Sequence, residues 1–151
     1  MSSALFFELL ERFGGRAVVS VSHPVSQAGE SAGELDLATY TALLADAIGA
    51  HLKNATGPVT ALIDDGRYAP LTLAGIRDHI ENLIDTHDPK SWAQLRDSRR
   101  TSGIQIADVV ANSAWNIAVG GLRSARIATI MEPFLANGIV RKRSIKASRA
   151  G

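Results

Sequence analysis

Acidic side chains in three separate segments of the sequence could support metal chemistry. Asp64 and Asp65 close the apolar run ALIDDG, Asp97 lies in LRDSRR, and Asp108 lies in the apolar stretch that follows. Hard cations such as Mg²⁺ and Mn²⁺ prefer carboxylate oxygens from separate elements. Two-metal phosphodiester hydrolysis needs such a cluster to hold the attacking water and the leaving oxygen. The sequence therefore predicts Asp64, Asp97 and Asp108 as catalytic residues, and Asp64, Asp65 and Asp108 as ligands of Mg²⁺ or Mn²⁺.

The acid at position 108 lies in an unusual helix. Helical spacing along GIQIADVVANSAWNIA groups four polar side chains on one narrow stripe, while isoleucine, valine and alanine fill most of the remaining surface. The stripe consists of Gln105, Asp108, Asn112 and Asn116. A helix of this kind is expected to be mostly buried, with Trp115, like Trp92, in the core.

Two interpretations of the stripe stay open. Ser102 and Gln105 match the S-x-x-Q capping box, which would give Gln105 a structural role at the helix start. Asp108 lies two turns in, beyond the reach of that role and of the favourable helix dipole. Because burying a lone carboxylate is costly, Asp108 is either paired, with Arg99 or Arg100 as its partner, or hydrated, or bound to a cation.

Basic residues are concentrated in two places where they could contact phosphate groups. Arg99 and Arg100 lie between two of the acidic segments, although they could equally be solvated or paired. The tail RKRSIKASRAG holds five of the 16 lysines and arginines and no acid, on a chain of net charge +1. Such a tail can bind a phosphate backbone, and a solvated flexible terminus explains the same composition. The candidate nucleic-acid contacts are Arg99, Arg100, Arg141, Lys142 and Arg143.

Composition sets the frame in which these residues must be held. The 151 residues are 46% hydrophobic and 21% charged, which is typical of a soluble globular domain. No apolar run reaches the length of a membrane span, and the N-terminus lacks the basic region and cleavage site of a signal peptide. The absence of cysteine excludes disulfides and thiolate sites and fits a cytoplasmic protein. We expect one α/β domain over residues 1–138 and a flexible basic tail over residues 139–151.

Helical and strand patterns alternate along the chain. Apolar residues three and four apart predict helices, whereas alternating or continuous apolar runs predict strands. The helices are expected over residues 3–13, 36–53, 72–86, from 102 and over 122–136, the strands in RAVVSVS, GPVTALIDDG and SWAQLRDS, and a surface loop in SQAGESAGE. This alternation favours an α/β domain with a largely parallel sheet whose GPVTALIDDG strand is buried on both faces. Ligands of open α/β sheets bind at the carboxyl ends of strands, where Asp64 and Asp65 lie.

The run RDSRRTSGIQIADVVANSAW resembles the C-terminal signature of a widespread prokaryotic family, the domain of unknown function numbered 3800. Members of that family show an aspartate-serine pair, a glycine, and then Gln-(Leu/Ile)-Ala-Asp opening a helix of small residues. The matching positions here are Asp97, Ser98, Gly103, Gln105, Ile106, Ala107 and Asp108. Upstream, LDLATYTALLADAIGAHL and VTALIDDGR resemble the family's central helix and its aspartate-ended strand. The resemblance covers roughly residues 4–120.

The resemblance implies a ribonuclease H-like fold, with a mixed or mostly parallel sheet flanked by helices. It also implies a metal-dependent nuclease site, to which Asp64 or Asp65 and Asp108 would contribute, with Asp97 as a further position. Family members usually open with a strand carrying Asp-Glu-Ser-Gly, and this sequence contains no such motif. The fold is therefore expected to be N-terminally truncated relative to the family, leaving RAVVSVS with an unpaired edge.

Two functions follow from these observations. The first is a divalent-metal-dependent nuclease or phosphodiesterase, intact or degenerate, that acts on nucleic acid. The second is a non-catalytic interaction module that keeps the fold and assembles through an exposed strand edge, with copies of itself or with a partner chain. Neither function involves a membrane.

Overall fold

The computed structural model describes residues 3–22 and 32–145. Helices and strands alternate over most of this length, which confirms the predicted α/β class. The elements are α1 (Ser3–Arg12), β1 (Ala17–Ser22), α2 (Ala32–Leu52), β2 (Thr60–Asp64), α3 (Pro70–Asp85), β3 (Trp92–Arg96), a single 3₁₀ turn (Ser98–Arg100), α4 (Ser102–Val119), α5 (Ser124–Ala136) and β4 (Val140–Ile145). Most of the predicted loop SQAGESAGE lies outside the described residues, and its end, from Ala32, is helical. None of the described helices combines the length and hydropathy that a membrane crossing requires.

The chain divides into two compact units. Among the described residues, the first comprises residues 3–19 and 98–142, and the second comprises residues 20–22, 32–97 and 143–145. Strands β1 and β4 pair with each other, and β2 pairs with β3, so the described strands form two sheets of two strands instead of one larger sheet. That residues 1–138 form a single domain stays a prediction.

The sheet of the second unit is parallel, as expected for two strands joined by a helix. Its register pairs Thr60 with Trp92 and Asp64 with Arg96. Helix α3 packs on this sheet because its apolar side chains recur every three or four residues and form one face. The buried cluster beneath that face comprises Ile63, Ile76, Ile80, Ile84 and Ala93. The helical and strand patterns of this region were thus sufficient to predict its elements.

Strand β2 is buried on one face only, so the expectation of burial on both faces is wrong. Ile63 lies in the core, whereas its neighbour Leu62 points the other way and is 44% exposed. In the adjacent strand, Trp92 is 49% exposed, so its predicted core position is wrong as well. The cause is that side chains alternate along a strand, and α3 packs against one side of this sheet.

Three helices build the core of the first unit. Helix α1 packs on α4 and α5, and α4 packs on α5. Phe7 of α1 stacks on Phe134 of α5 with 5.3 Å between the ring centroids. Val110, Met131 and Val140 complete this buried cluster. Helix α5 continues past Pro133 to Ala136, as the apolar spacing predicted.

Helix α4 is not mostly buried, contrary to the expectation from its composition. Its buried residues are Ile104, Val110 and Ser113. Asp108 is exposed, and Trp115 is 63% exposed rather than in the core. Because Asp108 is exposed, the cost of burying a lone carboxylate does not apply to it.

The C-terminal tail begins with a strand that the sequence reading missed. Residues Val140–Ile145 form β4, so the predicted flexible tail is wrong for this part, while residues 146–151 lie outside the described residues. The guanidinium of Arg143 explains why a charged stretch is held in place. Its Nε and Nη2 atoms donate to the carboxylate of Asp46 on α2 at 2.9 and 3.0 Å. The Ser20 hydroxyl on β1 donates to the same carboxylate at 2.6 Å.

We expect Arg143→Ala to lower the urea midpoint of unfolding at neutral pH, whereas Arg141→Ala, at an exposed position of the same strand, leaves it unchanged. The Arg143 hydrogen bonds, followed by that of Ser20, lower the pKa of Asp46. A lowered folded-state pKa contributes stability that is present above the ordinary value of about 3.9 and lost as the pH falls through the folded value. The difference between wild type and Arg143→Ala should therefore shrink in acid. A difference independent of pH would contradict this assignment.

Candidate functional site at the carboxyl ends of two strands

The parallel register of β2 and β3 brings three of the predicted acids to one end of the second unit. Asp64 lies opposite Arg96 at the last position of each strand. The backbone N–H of Asp65 donates to the carbonyl of Arg96 at 3.0 Å, and Asp97 follows Arg96 directly. The carboxyl end of a parallel sheet is where α/β proteins place their ligands. The backbones of Asp64, Asp65 and Asp97 thus lie at the same end of the sheet.

Asp64 also shapes the turn that leaves β2. Its Oδ1 atom accepts a hydrogen bond from the N–H of Gly66 at 3.1 Å. Asp64 is half-buried, while Asp65 is exposed. The turn role that two acids before a glycine suggest is therefore realised by Asp64. A carboxylate held in this way is oriented by the backbone, which suits a ligand position because little side-chain freedom remains to be lost on binding.

A second polar cluster follows this turn and was not predicted from the sequence. Arg67 donates from Nη2 to Oδ1 of Asp36 at 3.0 Å, and the Tyr68 hydroxyl donates to Oδ2 at 2.5 Å. Arg67 also donates from Nε to the Tyr68 hydroxyl oxygen at 3.3 Å. The three side chains close a ring of hydrogen bonds between the loop and α2. Their spacing of 31 and 32 residues gives no local signal that would have revealed it.

Two aromatic rings fix the guanidinium of Arg67. Its Cζ atom lies 5.0 Å from the ring centroid of Tyr40 and 5.6 Å from that of Tyr68. The two rings meet edge to face, with 5.3 Å between their centroids. A cation near aromatic faces is attracted to their negative electron density. Arg67 is consequently a positioned cation that comes two residues after the acids in the chain.

The same contacts shift the ionisation of the cluster. The hydrogen bond from Tyr68 is the largest influence that lowers the pKa of Asp36, and the charge of Arg67 adds to it. Burial raises the pKa of Tyr68, and its bond to Asp36 acts in the same direction. The pKa of Arg67 is raised as well, chiefly through its hydrogen bond with Tyr68. Asp36 is therefore a stable anion and Arg67 a permanent cation at neutral pH.

The predicted residues of α4 lie in the first unit. Gln105 donates from Nε2 to the carbonyl of Arg99 at 3.2 Å, so it secures the 3₁₀ turn before the helix. The predicted capping box is wrong, because the N-cap is Thr101 and no side chain caps the helix there. Arg99 and Arg100 are exposed within that turn. That Asp108 joins Asp64 and Asp97 in one site stays a prediction.

Two further observations bear on the predicted ligands. Within residues 3–22 and 32–145, no group of three or more His, Asp or Glu side chains is arranged to hold a metal ion. Of the predicted nucleic-acid contacts on β4, Arg141 and Lys142 are exposed, whereas the guanidinium of Arg143 is committed to Asp46.

Removal of one hydroxyl tests the electrostatics of the cluster. We expect Tyr68→Phe to raise the pKa of Asp36, since the Tyr68 hydrogen bond is the main cause of its lowered value. Arg67→Lys keeps the positive charge and should raise the pKa of Asp36 less than Tyr68→Phe does. Carboxyl chemical shifts followed by NMR through an acid titration measure both changes. An unchanged Asp36 titration in Tyr68→Phe would show that the hydroxyl does not control this group.

No family model matches the chain, and no curated protein and no solved structure matches it either.

Proposed function

We propose that the second unit carries a divalent-metal-dependent phosphodiesterase or nuclease site built on Asp64, Asp65 and Asp97. The observation that carries this proposal is the register of β2 and β3, which sets these acids at the carboxyl end of adjacent parallel strands. Mg²⁺ commonly binds through one or two protein carboxylates together with substrate phosphates, so a complete protein cage is not required. A bound metal would polarise the phosphoryl oxygen and lower the pKa of a bound water.

Cationic side chains beside these acids fit a phosphate substrate. Arg96 is exposed and lies in register with Asp64. Arg67 is oriented by its tyrosine contacts and could interact with a phosphate oxygen without losing its bond to Asp36, because a guanidinium has five donors. Within this proposal the chain is a ribonuclease H-like protein of the domain of unknown function 3800 family. Arg99, Arg100, Arg141 and Lys142 contact the nucleic acid, and whether Asp108 of the first unit is a metal ligand stays a prediction.

A metal titration tests the site. We expect the melting temperature to rise with Mn²⁺ or Mg²⁺, by roughly 5 °C at about a hundredfold excess over the dissociation constant, because a ligand of the native state stabilises it. Asp64→Asn and Asp97→Asn should abolish the rise, whereas Asp85→Asn, which removes an exposed acid from the end of α3, should preserve it. Asp108→Asn decides whether α4 contributes a ligand.

Cleavage provides the second measurement of the same proposal. Labelled RNA and DNA, single- and double-stranded, should be cut in the presence of Mn²⁺ by the wild type and not by Asp64→Asn. If metals shift neither the melting temperature nor the amide spectrum of the wild type, the metal-dependent function is wrong.

A second function is favoured by the uncovered face of the β2–β3 sheet. Parallel sheets are almost always covered on both faces, yet Leu62 and Trp92 are half-exposed on this one. Each strand of the sheet pairs with a single neighbour among the described residues, so open edges remain as well. We propose as the alternative that this unit is an assembly module whose sheet is completed by a second copy of the chain.

The charges at the end of this face favour a second copy. Asp64 and Arg96 lie side by side, one negative and one positive. A twofold axis parallel to the strands would stack β2 of one copy on β3 of the other, and would set each Asp64 against an Arg96. An isologous contact of this kind satisfies both charges at once. The face measures about 16 Å by 10 Å, far less than the roughly 800 Å² that a stable partner buries, so the association should be weak unless edges also pair.

Sedimentation over a range of concentrations tests this alternative. We expect reversible dimerisation at high micromolar concentration, and a monomer for Leu62→Lys at the same concentration. Leu71→Lys is the matched control, because Leu71 is 89% exposed but belongs to α3, outside the sheet. A wild type that stays monomeric throughout, or a Leu71→Lys variant that dissociates equally, would reject assembly through this face.

A further inference from the structure

A solvent-open cavity in the first unit is lined by polar residues of α4 that neither proposed function uses. Its volume is about 510 Å³, which falls within the range of small-molecule sites. Asn112, Ser113 and Asn116 of α4 line it, together with Arg123 at the start of α5. Apolar side chains such as Phe6 and Ile127 form the remaining wall. Two residues of the polar stripe, Asn112 and Asn116, therefore face this cavity.

The end of α4 creates this cavity. Gly120 adopts a left-handed conformation with φ of 65°, which reverses the chain so that Leu122 and Arg123 return beside the helix. Two hydrogen bonds fix Asn116. Its side-chain Nδ2 atom donates to the backbone carbonyl of Asn112 at 2.9 Å, and its backbone carbonyl accepts from the N–H of Gly121. The amide oxygen of Asn116 lies close to Gly121, where a side chain would crowd it. These polar groups are consequently positioned before any ligand binds.

Ser113 is a buried polar residue in the wall of this cavity. It is only 3% exposed, and its hydroxyl has no hydrogen-bond partner among the described residues. No fully buried side-chain oxygen or nitrogen of those residues lacks a partner, so the small accessible part of Ser113 must include its hydroxyl. Since Ser113 lines the cavity, this hydroxyl is available to a molecule inside it.

The mouth of the cavity is positively charged. Arg123 is exposed and forms no ion pair with any described residue. It stands at the N-terminus of α5, a helix of 13 residues with no acid in its first turn. Helix N-termini carry a partial positive charge from their free N–H groups. The residues that line the cavity include no acid. An anion is thus the favoured occupant.

We propose that this cavity binds a small monocarboxylate with an apolar tail. One arginine and one helix N-terminus match a single negative charge better than the double charge of a phosphate monoester. The carboxylate would lie against Arg123 and the start of α5, and would accept a hydrogen bond from the hydroxyl of Ser113. The tail would contact Phe6 and Ile127. This inference is independent of the aspartates of the second unit, so its failure would leave the proposed functions untouched.

Amide NMR titrations with hydrocinnamate, hydrocinnamyl alcohol and inorganic phosphate test the proposal on the full chain. We expect saturable shifts at Asn112, Ser113 and Arg123 with hydrocinnamate, and at least roughly tenfold weaker binding of the neutral alcohol, because it cannot pair with Arg123. Arg123→Gln should weaken hydrocinnamate binding by a similar factor. Arg126→Gln, an exposed arginine of α5 that does not line the cavity, should leave it unchanged.

Ser113→Ala separates a ligand role from a structural one. Removing a hydroxyl without a protein partner should leave the melting temperature equal or higher, while weakening hydrocinnamate binding several-fold. A lower melting temperature with unchanged binding would mean that the hydroxyl serves the fold. Equal binding of acid and alcohol, binding of phosphate alone, or no saturable shift up to about 10 mM, the weak limit for a ligand this small, would each overturn the proposal.

Discussion

The parallel pairing of β2 with β3 is the constraint on which the second unit depends. The same register directs Ile63 and Ala93 towards α3 and sets Asp64 beside Arg96 at the strand ends. A slip of one residue would turn the apolar set outwards and separate the acids from one another. Core and candidate site therefore cannot vary independently, because one ladder of backbone hydrogen bonds fixes both. On the face turned away from α3, Leu62 and Trp92 remain half-exposed.

In the first unit, the side chains of one helix lie in three different environments. Helix α4 contributes Val110 to the core, presents Asp108 to solvent and places Asn112 beside a cavity. Its small side chains allow α1 and α5 to pack closely against it. The side of α4 that faces neither helix is exposed. The polar stripe is therefore not a single functional surface. Position along the helix decides whether a polar residue contacts water, a backbone group or a solvent-open cavity.

Local patterns in the sequence were enough for most elements and for the acids at the end of β2. The apolar spacing of α3 and the run before Asp64 are signals carried by neighbours in the chain. Burial was harder, because whether α4 or Trp92 is covered depends on which elements pack nearby. The ring of Asp36, Arg67 and Tyr68 joins residues about 30 positions apart, so no local rule reveals it. Strand β4 was not predicted because its charged residues do not give the apolar pattern of a strand. The contact between Arg143 and Asp46 that supports it joins residues far apart in the chain.

Both tryptophans of the chain lie at the surface, and this determines what their light emission can report. Trp92 and Trp115 are 49% and 63% exposed, so both indoles already contact water in the folded state. Unfolding therefore shifts the wavelength of their fluorescence less than it would shift that of a buried indole. The same placement makes them sensitive to whatever covers them. One indole marks the open sheet of the second unit and the other marks the outer side of α4, so each surface carries its own optical label.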